Sequence, residues 1–186
     1  PTDTLYGLGA DYTSHSAVQR VIDIKGRSSA TGLPLLLSGV GQLPLVAGDI
    51  PKPVWTLVER FWPGPLTLIV SRSANVSDLV TGGRSTVAIR VPDHPVSQAL
   101  AQGLGRPITG TSANLTGHLP ATSAGEVRNQ LGGSVDLIID GGESPLGLPS
   151  TILDVTGPVL KVIRVGAVSI TDIQQLYPGE VRFSTA

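Results

Sequence analysis

The sequence predicts an α/β domain built on a twisted, open, mixed sheet that is flanked by helices. Stretches typical of strands alternate with amphipathic helical stretches over the first two-thirds of the chain, and strand-like stretches cluster towards its end. The 23 glycines and 15 prolines are spread evenly, which indicates short elements rather than a linker. We therefore treat residues 1–186 as one domain. Pro1 has the setting of a strand-to-loop junction, so we expect an opening strand to be missing before it.

Apolar periodicity and end signals predict the helices. In the first, Val18, Val21 and Ile22 share one face and Gly26 is the expected C-cap. Another begins with the capping box Ser123-Ala124-Gly125-Glu126. The predicted helices span residues 16–25, 51–61, 95–104, 123–131 and 169–176.

Short apolar runs bounded by turn residues predict the strands. They cover residues 33–38, 66–71, 86–91, 107–111, 135–140, 151–155 and 160–165. In open α/β sheets ligands bind at loops beyond the strand ends. Most polar candidates of this chain lie at such junctions, so the functional site is expected there.

Composition excludes several classes of protein. The chain has no cysteine, which rules out disulfides, thiolate metal sites and a cysteine nucleophile. Its three histidines lack metal-ligand spacing, and we expect no metal ligand from protein side chains. The net charge of −1 and the lack of a basic run argue against nucleic-acid binding as the main role, although a local positive pocket remains compatible with it. With no signal peptide or membrane-length apolar run, we expect a cytoplasmic protein.

Two short polar stretches favour a nucleotide-processing site. Lys25 and Arg27 flank Gly26 and could grip a polyphosphate, while Ser112 and Asn114 could supply further donors to the same anion. Each stretch also has an ordinary interpretation: cations at a helix C-terminus in the first case, a polar turn in the second. Their joint presence makes the nucleotide site the leading hypothesis.

Two arginines stand within predicted strands. Arg90 interrupts an apolar strand and needs a carboxylate, a phosphate or a pocket; a structural ion pair and a ligand contact both remain open. Arg164 also lies within a predicted strand, and for it too an ion pair and a ligand contact remain open. Ser150 stands in a turn where it could bind a ligand or only complete the turn. No dinucleotide fingerprint, Walker loop or nucleophile elbow is present.

Taken in order, the motifs of this chain resemble the YrdC/TsaC family, the threonylcarbamoyl-AMP synthases of tRNA modification. Each motif is weak alone, but their common order and spacing are specific. They comprise residues 1–9, Lys25 with Arg27, residues 61–67, residues 85–95, Ser112 with Asn114, residues 140–142, 150–152 and 164–166.

The resemblance implies a YrdC-like sheet with a central basic cavity. It also implies the substrates L-threonine, bicarbonate and ATP, with Mg²⁺ accompanying ATP. The products are threonylcarbamoyl-AMP and pyrophosphate, and a downstream transferase complex then modifies an adenosine of tRNA. The length of the chain resembles the short, single-domain form of the family.

The resemblance also assigns roles to individual residues. A family tetrad for electrostatic and positional catalysis falls on Lys25, Arg27, Ser112 and Asn114. The ATP contacts fall on Lys25, Arg27, Thr31, Thr86, Ser112, Pro120 and Arg164. The threonine contacts fall on Thr4, Arg90, Gly110 and Ser150. The chain departs from the family pattern at Ser28, often proline, at Thr31, often asparagine, and at Leu36, a histidine in some members.

Two other functions remain open at this stage. YrdC-like domains have a basic concave face, so one alternative is a module that binds double-stranded RNA. The other is the related domain of hydrogenase-maturation carbamoyltransferases, which carry accessory domains and cysteine-rich metal sites that this chain lacks.

Overall fold

The structure is a computed structural model that describes residues 1–184. Its strands are β1 (Gly7–Leu8), β2 (Leu35–Leu36), β3 (Leu66–Ser71), β4 (Thr86–Arg90), β5 (Ile108–Thr109), β6 (Thr111–Ser112), β7 (Thr151–Asp154), β8 (Leu160–Arg164) and β9 (Val181–Phe183). Its helices are α1 (His15–Lys25), α2 (Leu43–Val46), α3 (Lys52–Phe61), α4 (Asp78–Thr81), α5 (Pro95–Gly103), α6 (Ala124–Leu131) and α7 (Ile170–Leu176), with a 3-10 turn at Val40–Gln42.

Seven strands form one mixed sheet in the order β5-β2-β4-β3-β7-β8-β9. The pairs β2–β4, β3–β7 and β8–β9 are parallel, and the pairs β5–β2, β4–β3 and β7–β8 are antiparallel. The central strands contribute fully buried side chains such as Leu66, Leu68 and Ile89, which is why these stretches read as continuous apolar runs. The predicted α/β fold with a mixed sheet is confirmed.

The register of the sheet gathers several polar residues at one end. Arg90 is the last residue of β4 and pairs with Leu36 of β2. Arg164 is the last residue of β8 and pairs with Ile152 of β7. Because β3 and β7 run antiparallel to β4 and β8, their first residues lie at this same end of the sheet.

The first residues of the chain form a separate two-stranded ribbon with residues that follow β5. β1 pairs antiparallel with β6, with Gly7 opposite Ser112. The single strand predicted at residues 107–111 is wrong in detail, because it divides at Gly110 into β5 and β6. Gly110 donates its amide to the carbonyl of Pro34, the residue before β2, and the chain then leaves the large sheet to pair with β1.

The strand predicted at residues 135–140 is also wrong. Within the described part of the chain this apolar stretch has no strand partner, and Leu137 is 74% exposed. Alternating apolar residues predict a strand only where a neighbouring strand supplies hydrogen bonds, and that partner cannot be read from local sequence.

Other differences concern short elements. The strand predicted at residues 33–38 is reduced to Leu35–Leu36, because Pro34 has no amide to donate and Leu33 instead bonds the carbonyl of Val80. The helices α2 and α4 and the strand β9 were not predicted, since three or four residues are too few to show a periodicity.

The ends of the longer helices follow the sequence signals. Gly26 ends α1 in the left-handed conformation, with φ of 57°. Ser123 caps α6 by accepting a hydrogen bond from the amide of Glu126, whose carboxylate in turn accepts from the amide of Thr122. None of the helices formed by residues 1–184 combines the length and apolar composition that crossing a membrane would require.

Candidate active site

Lys25 brings the two polar motifs of the sequence together. It is the last residue of α1 and is 4% exposed. Its Nζ donates to the carbonyl of Ser112 at 2.6 Å, the carbonyl of Asn114 at 2.5 Å and Asn114 Oδ1 at 2.9 Å. An ammonium group has three donors, so protein oxygens occupy all of them. Ser112 and Asn114, which lie 87 and 89 positions after Lys25 in the sequence, are therefore bound to one nitrogen.

The charge of Lys25 depends on its surroundings. Burial, and secondarily the positive charge of Arg27, lower the pKa of Lys25 to about 8. The three accepting oxygens act in the opposite direction, since they favour the charged form. Lys25 is thus a cation at neutral pH that a moderate rise in pH converts to the neutral amine.

The loop after β6 is held to the end of α1 from both sides. Thr116 donates its hydroxyl to the carbonyl of Lys25 at 2.6 Å, which satisfies a carbonyl at the helix end. Asn114 Nδ2 donates to the carbonyls of Leu115 at 3.0 Å and His118 at 2.7 Å, which fixes the turn between them. The Asn114 amide therefore has a structural role in the loop as well as its contact with Lys25.

Arg27 differs from Lys25 in having unused donors. Its Nε is shielded from solvent and has no hydrogen-bond partner among residues 1–184. Its one side-chain hydrogen bond within residues 1–184 is a long bond of 3.4 Å from Nη2 to the carbonyl of Gly32. Burial lowers the pKa of Arg27, yet a guanidinium remains charged. Arg27 is therefore the tetrad member with N–H groups available to an anion.

A second cluster surrounds Arg90, which is 5% exposed. Its Nε donates to the carbonyl of Gly64 at 2.8 Å, its Nη1 to Thr4 Oγ1 at 2.7 Å, and its Nη2 to the carboxylate of Asp3. The ion pair left open by the sequence is thus present, with a partner 87 positions away. The ligand contact of Arg90 stays a prediction.

Arg164 and Ser150 lie in this second cluster. Arg164 donates from Nε and Nη2 to the carbonyl of Ser150 at 3.0 and 2.9 Å, and from Nη2 to Ser150 Oγ at 3.0 Å. The Ser150 hydroxyl also contacts that of Thr67 at 2.8 Å. The pKa of Arg164 is lowered by burial and then by the charge of Arg90, so the two guanidinium groups are electrostatic neighbours.

The predicted site residues therefore form two clusters. We call Lys25, Arg27, Ser112 and Asn114 the lysine cluster. We call Thr4, Arg90, Ser150 and Arg164 the arginine cluster. Residues 4–7 connect them, because Thr4 contacts Arg90 while the next residues pair with the strand that carries Ser112.

The other predicted contact residues belong to neither cluster. Thr31 and Pro120 are exposed, and Thr86 begins β4, roughly 13 Å along the strand from Arg90. Across residues 1–184, no side-chain hydrogen bond joins these three to either cluster. Gly110 packs closely against Leu36: a Cβ at this glycine would stand 2.3 Å from Leu36 Cγ. Only a residue without a side chain fits there without displacing Leu36.

Two residues of the arginine cluster's surroundings were not assigned a role from sequence. Asp3 pairs with Arg90, and Thr67 bonds Ser150. The sequence predicts that Arg90, an arginine within an apolar strand, needs a partner. It does not identify which carboxylate is that partner. Thr67 stands within the apolar strand β3 and gives no local signal.

A cavity of about 450 Å³ lies beside these clusters. Apolar side chains of α1, α5 and residues 135–139 form much of its lining, together with Leu36 and residues of the first ten. None of the predicted site residues is among those that line it. The central basic cavity implied by the family resemblance therefore remains a prediction. In the described part of the chain, no three histidine, aspartate or glutamate side chains are grouped as metal ligands.

The fold and the two clusters define an α/β domain with buried cationic groups suited to anionic ligands. Residues 1–166 match the family model Sua5_yciO_yrdC, described as "Telomere recombination". The chain belongs to this Sua5/YciO/YrdC family.

Several relatives are similar over most of the chain. The threonylcarbamoyl-AMP synthase of Pyrococcus abyssi is 39% identical over 186 residues, covering 100% of this chain and 54% of its own length. That of Bacillus subtilis is 39% identical over 175 residues, covering 94% of this chain and 51% of its own length. That of Idiomarina loihiensis is 42% identical over 156 residues, covering 83% and 84%.

The fold is also similar to a solved structure, that of P. abyssi Sua5 complexed with L-threonine. The TM-score is 0.95 at 38% identity, over 99% of this chain and 54% of that one. The chain spans about half the length of the first two relatives.

Proposed function

We propose that this chain is an L-threonylcarbamoyladenylate synthase, which converts L-threonine, bicarbonate and ATP to threonylcarbamoyl-AMP and pyrophosphate. The observation that carries the proposal is the meeting of the two polar motifs at Lys25 Nζ, beside a second cationic cluster. Family membership and the relatives named threonylcarbamoyl-AMP synthase support the same reaction.

The chemistry requires charge stabilisation more than a nucleophile. The amine of threonine adds to CO₂ with loss of a proton, or condenses with bicarbonate with loss of water, to give a carbamate. A carbamate oxygen forms a bond to the α-phosphorus of ATP while the bond to pyrophosphate breaks. Negative charge grows on the phosphoryl oxygens and on the leaving group, so fixed cations and positioning supply the catalysis. No covalent enzyme intermediate is required.

The lysine cluster is assigned to ATP. Arg27 has free N–H groups that can contact phosphate oxygens. Lys25 holds the loop of Ser112 and Asn114 in place and adds positive charge beside it. Mg²⁺ enters as part of the ATP substrate, bound to its phosphates rather than to a protein carboxylate cluster.

The arginine cluster is assigned to threonine, except that Arg164 is assigned to ATP. Arg90 and Thr4 offer N–H and hydroxyl groups, and Ser150 offers a hydroxyl positioned by Arg164. Gly110 packs directly against the side chain of Leu36, which fills the space that a Cβ would need. Two cationic clusters joined by residues 4–7 could hold an amino acid next to a triphosphate.

The product is a labile mixed anhydride, so a partner must use it promptly. We assign that role to a tRNA threonylcarbamoyl transferase complex that modifies an adenosine of tRNA. We propose that the protein acts with this partner in the cytoplasm. Direct contact with RNA is not needed for the reaction itself.

The decisive experiment measures pyrophosphate release with threonine, bicarbonate and ATP present, and then with each omitted in turn. The adenylate product is identified by mass spectrometry. We expect release to depend on all three substrates. Release that ignores threonine, or no release from the folded chain, would overturn the proposed reaction. Replacement of threonine by alanine is the matched control for amino-acid recognition.

A further inference from the structure

Asp3 is a buried carboxylate to which neither the sequence nor the proposed reaction gives a role. It is 5% exposed. Its Oδ1 accepts from Arg90 Nη2 and, at 3.1 Å, from the amide of Asp93. Its carbonyl accepts from the amide of Leu146 at 3.1 Å. Asp3 thereby joins the end of β4, the turn after it and the loop that leads to Ser150.

The carboxylate completes a three-point attachment of Arg90. The guanidinium donates to Gly64, Thr4 and Asp3 through three different nitrogens. Within residues 1–184, two of its five N–H groups make no hydrogen bond, one on each terminal nitrogen. Because the fork is planar and rigid, three fixed bonds determine the direction of the other two. The same attachment orients the Thr4 hydroxyl, which also contacts that of Thr2 at 3.0 Å.

Charge balance explains why a carboxylate stands here. Burial lowers the pKa of Arg90, and the charge of Asp3 acts against that shift. Arg164 is a second cation close enough for Arg90 to lower its pKa. Asp3 thus balances the charge of the buried Arg90, while the more exposed Arg164 adds a second positive charge next to the pair.

Asp3 is not fully satisfied by the protein. Its Oδ2 is shielded from solvent and has no hydrogen-bond partner within residues 1–184. A half-satisfied buried carboxylate destabilises a fold relative to an apolar residue, so its presence calls for a reason other than stability. Orientation of Arg90 is such a reason.

We propose that Asp3 is a positioning residue for amino-acid recognition: its carboxylate holds Arg90 so that the two free N–H groups of Arg90 bind the carboxylate of threonine. This inference rests on the proposed function and adds a residue to its amino-acid site. Asp3 acts through Arg90 and does not itself touch the substrate.

The test is Asp3→Asn, which keeps the size and the acceptor Oδ1 but removes the charge. The matched control is Asp136→Asn, which removes the carboxylate of an exposed pair with Arg20. Binding of L-threonine and of ATP is measured by calorimetry, and the KM for each by pyrophosphate release. We expect Asp3→Asn to weaken threonine binding and raise its KM about tenfold or more, with ATP affected less than about twofold. Asp136→Asn should leave both unchanged.

The outcomes separate this inference from the proposed function. If the wild type binds threonine but releases no pyrophosphate, the proposed reaction fails and calorimetry still tests Asp3. If Asp3→Asn folds and binds threonine as the wild type does, or loses threonine and ATP equally, the inference is overturned. If the wild type does not bind threonine, both are overturned.

A second variant covers the case in which Asp3→Asn does not fold. The double variant Asp3→Asn/Arg90→Gln leaves no buried charge unpaired. We expect it to fold, to retain ATP binding and to lose threonine binding. Normal threonine binding by the folded double variant would show that the pair is structural only and would overturn the inference.

Discussion

One nitrogen, Lys25 Nζ, holds together two segments that are far apart in sequence, and it does so with every donor it has. Arg27, two residues further on, makes one long bond from Nη2 to the carbonyl of Gly32, and within residues 1–184 its Nε has no partner. The two basic residues of this motif therefore have different roles. Lys25 fixes the loop of Ser112 and Asn114 and supplies charge, while Arg27 is available for direct contact with phosphate.

Replacing Lys25 with alanine removes both the charge and the three bonds to the loop. We expect Lys25→Ala to lower the turnover of pyrophosphate release by about a hundredfold or more, as for other charge-stabilising groups. The control is Lys161→Ala, an exposed lysine on β8, which should keep normal turnover. Near-normal turnover of a folded Lys25→Ala protein would remove Lys25 from the mechanism.

The lowered pKa of Lys25 predicts a pH dependence. Below a pKa of about 8 the ammonium is charged and attracts the triphosphate; above it the amine is neutral and the attraction is lost. Affinity for ATP should therefore fall as the pH rises through that value. We would measure kcat/KM for ATP from about pH 6.5 to about pH 9.5, since kcat/KM reports groups of the free enzyme. The same fall in Lys25→Ala would show that another group titrates.

At this scale the sequence identified residue types better than contacts. Arg90 was singled out because an arginine within an apolar strand needs a partner, and it has one. The partner, Asp3, lies 87 positions away, and chain topology rather than local pattern brings it there. The free donors of Arg27 were equally invisible, because they depend on what the loop after α1 leaves unbonded.

Among the elements, the turn between β8 and α7 is fixed to β7 by one hydroxyl. Thr151 is fully buried; its Oγ1 donates to the carbonyl of Val168 at 2.6 Å and accepts from the amides of Gly166 at 2.9 Å and Val168 at 3.1 Å. Gly166 in turn packs on the backbone of Ser150, where a Cβ would stand 2.5 Å from the carbonyl carbon. Thr151 therefore helps to fix the backbone next to Ser150 of the arginine cluster.

Thr151→Val keeps the shape of this side chain and leaves three buried backbone groups without their partner. We expect the free energy of unfolding to fall by about 1–3 kcal/mol, the cost of leaving a buried polar group unpaired. Denaturant unfolding measures the change. Thr156→Val, at an exposed turn residue, should cost far less. Equal losses in the two variants would contradict the role of the buried hydroxyl.

The elements that the sequence predicted well are those whose signals are local. The longer helices carry a periodic apolar face and a cap, and α1 ends at Gly26 as expected. The predicted strand at residues 135–140 failed for the opposite reason, because a strand exists only with a partner. The division at Gly110 likewise depends on two different sheets competing for one stretch.

At the scale of the molecule, both clusters draw on segments from the whole length of the described chain. Lys25 meets Ser112, Asp3 meets Arg90, and Arg164 meets Ser150. A ligand that bridges such segments binds only the folded state, so it must stabilise the fold.

We therefore expect MgATP to raise the melting temperature. At a concentration of about 100 times Kd the gain is about 2.7 kcal/mol, or roughly 5–11 °C for a domain of this size. Thermal unfolding with and without MgATP measures the shift. Lys25→Ala should lose most of it and Lys161→Ala none. An undiminished shift in folded Lys25→Ala would place the nucleotide elsewhere.

The pairing of β1 with β6 also has a consequence for how the protein is made. Gly7 lies opposite Ser112, so β1 cannot pair until about a hundred further residues have been synthesised. At ordinary rates of translation that interval is roughly 5–20 s. A nascent chain released before that point would have helices and part of a sheet, but neither the contact between Lys25 and Ser112 nor the ribbon that joins the two clusters.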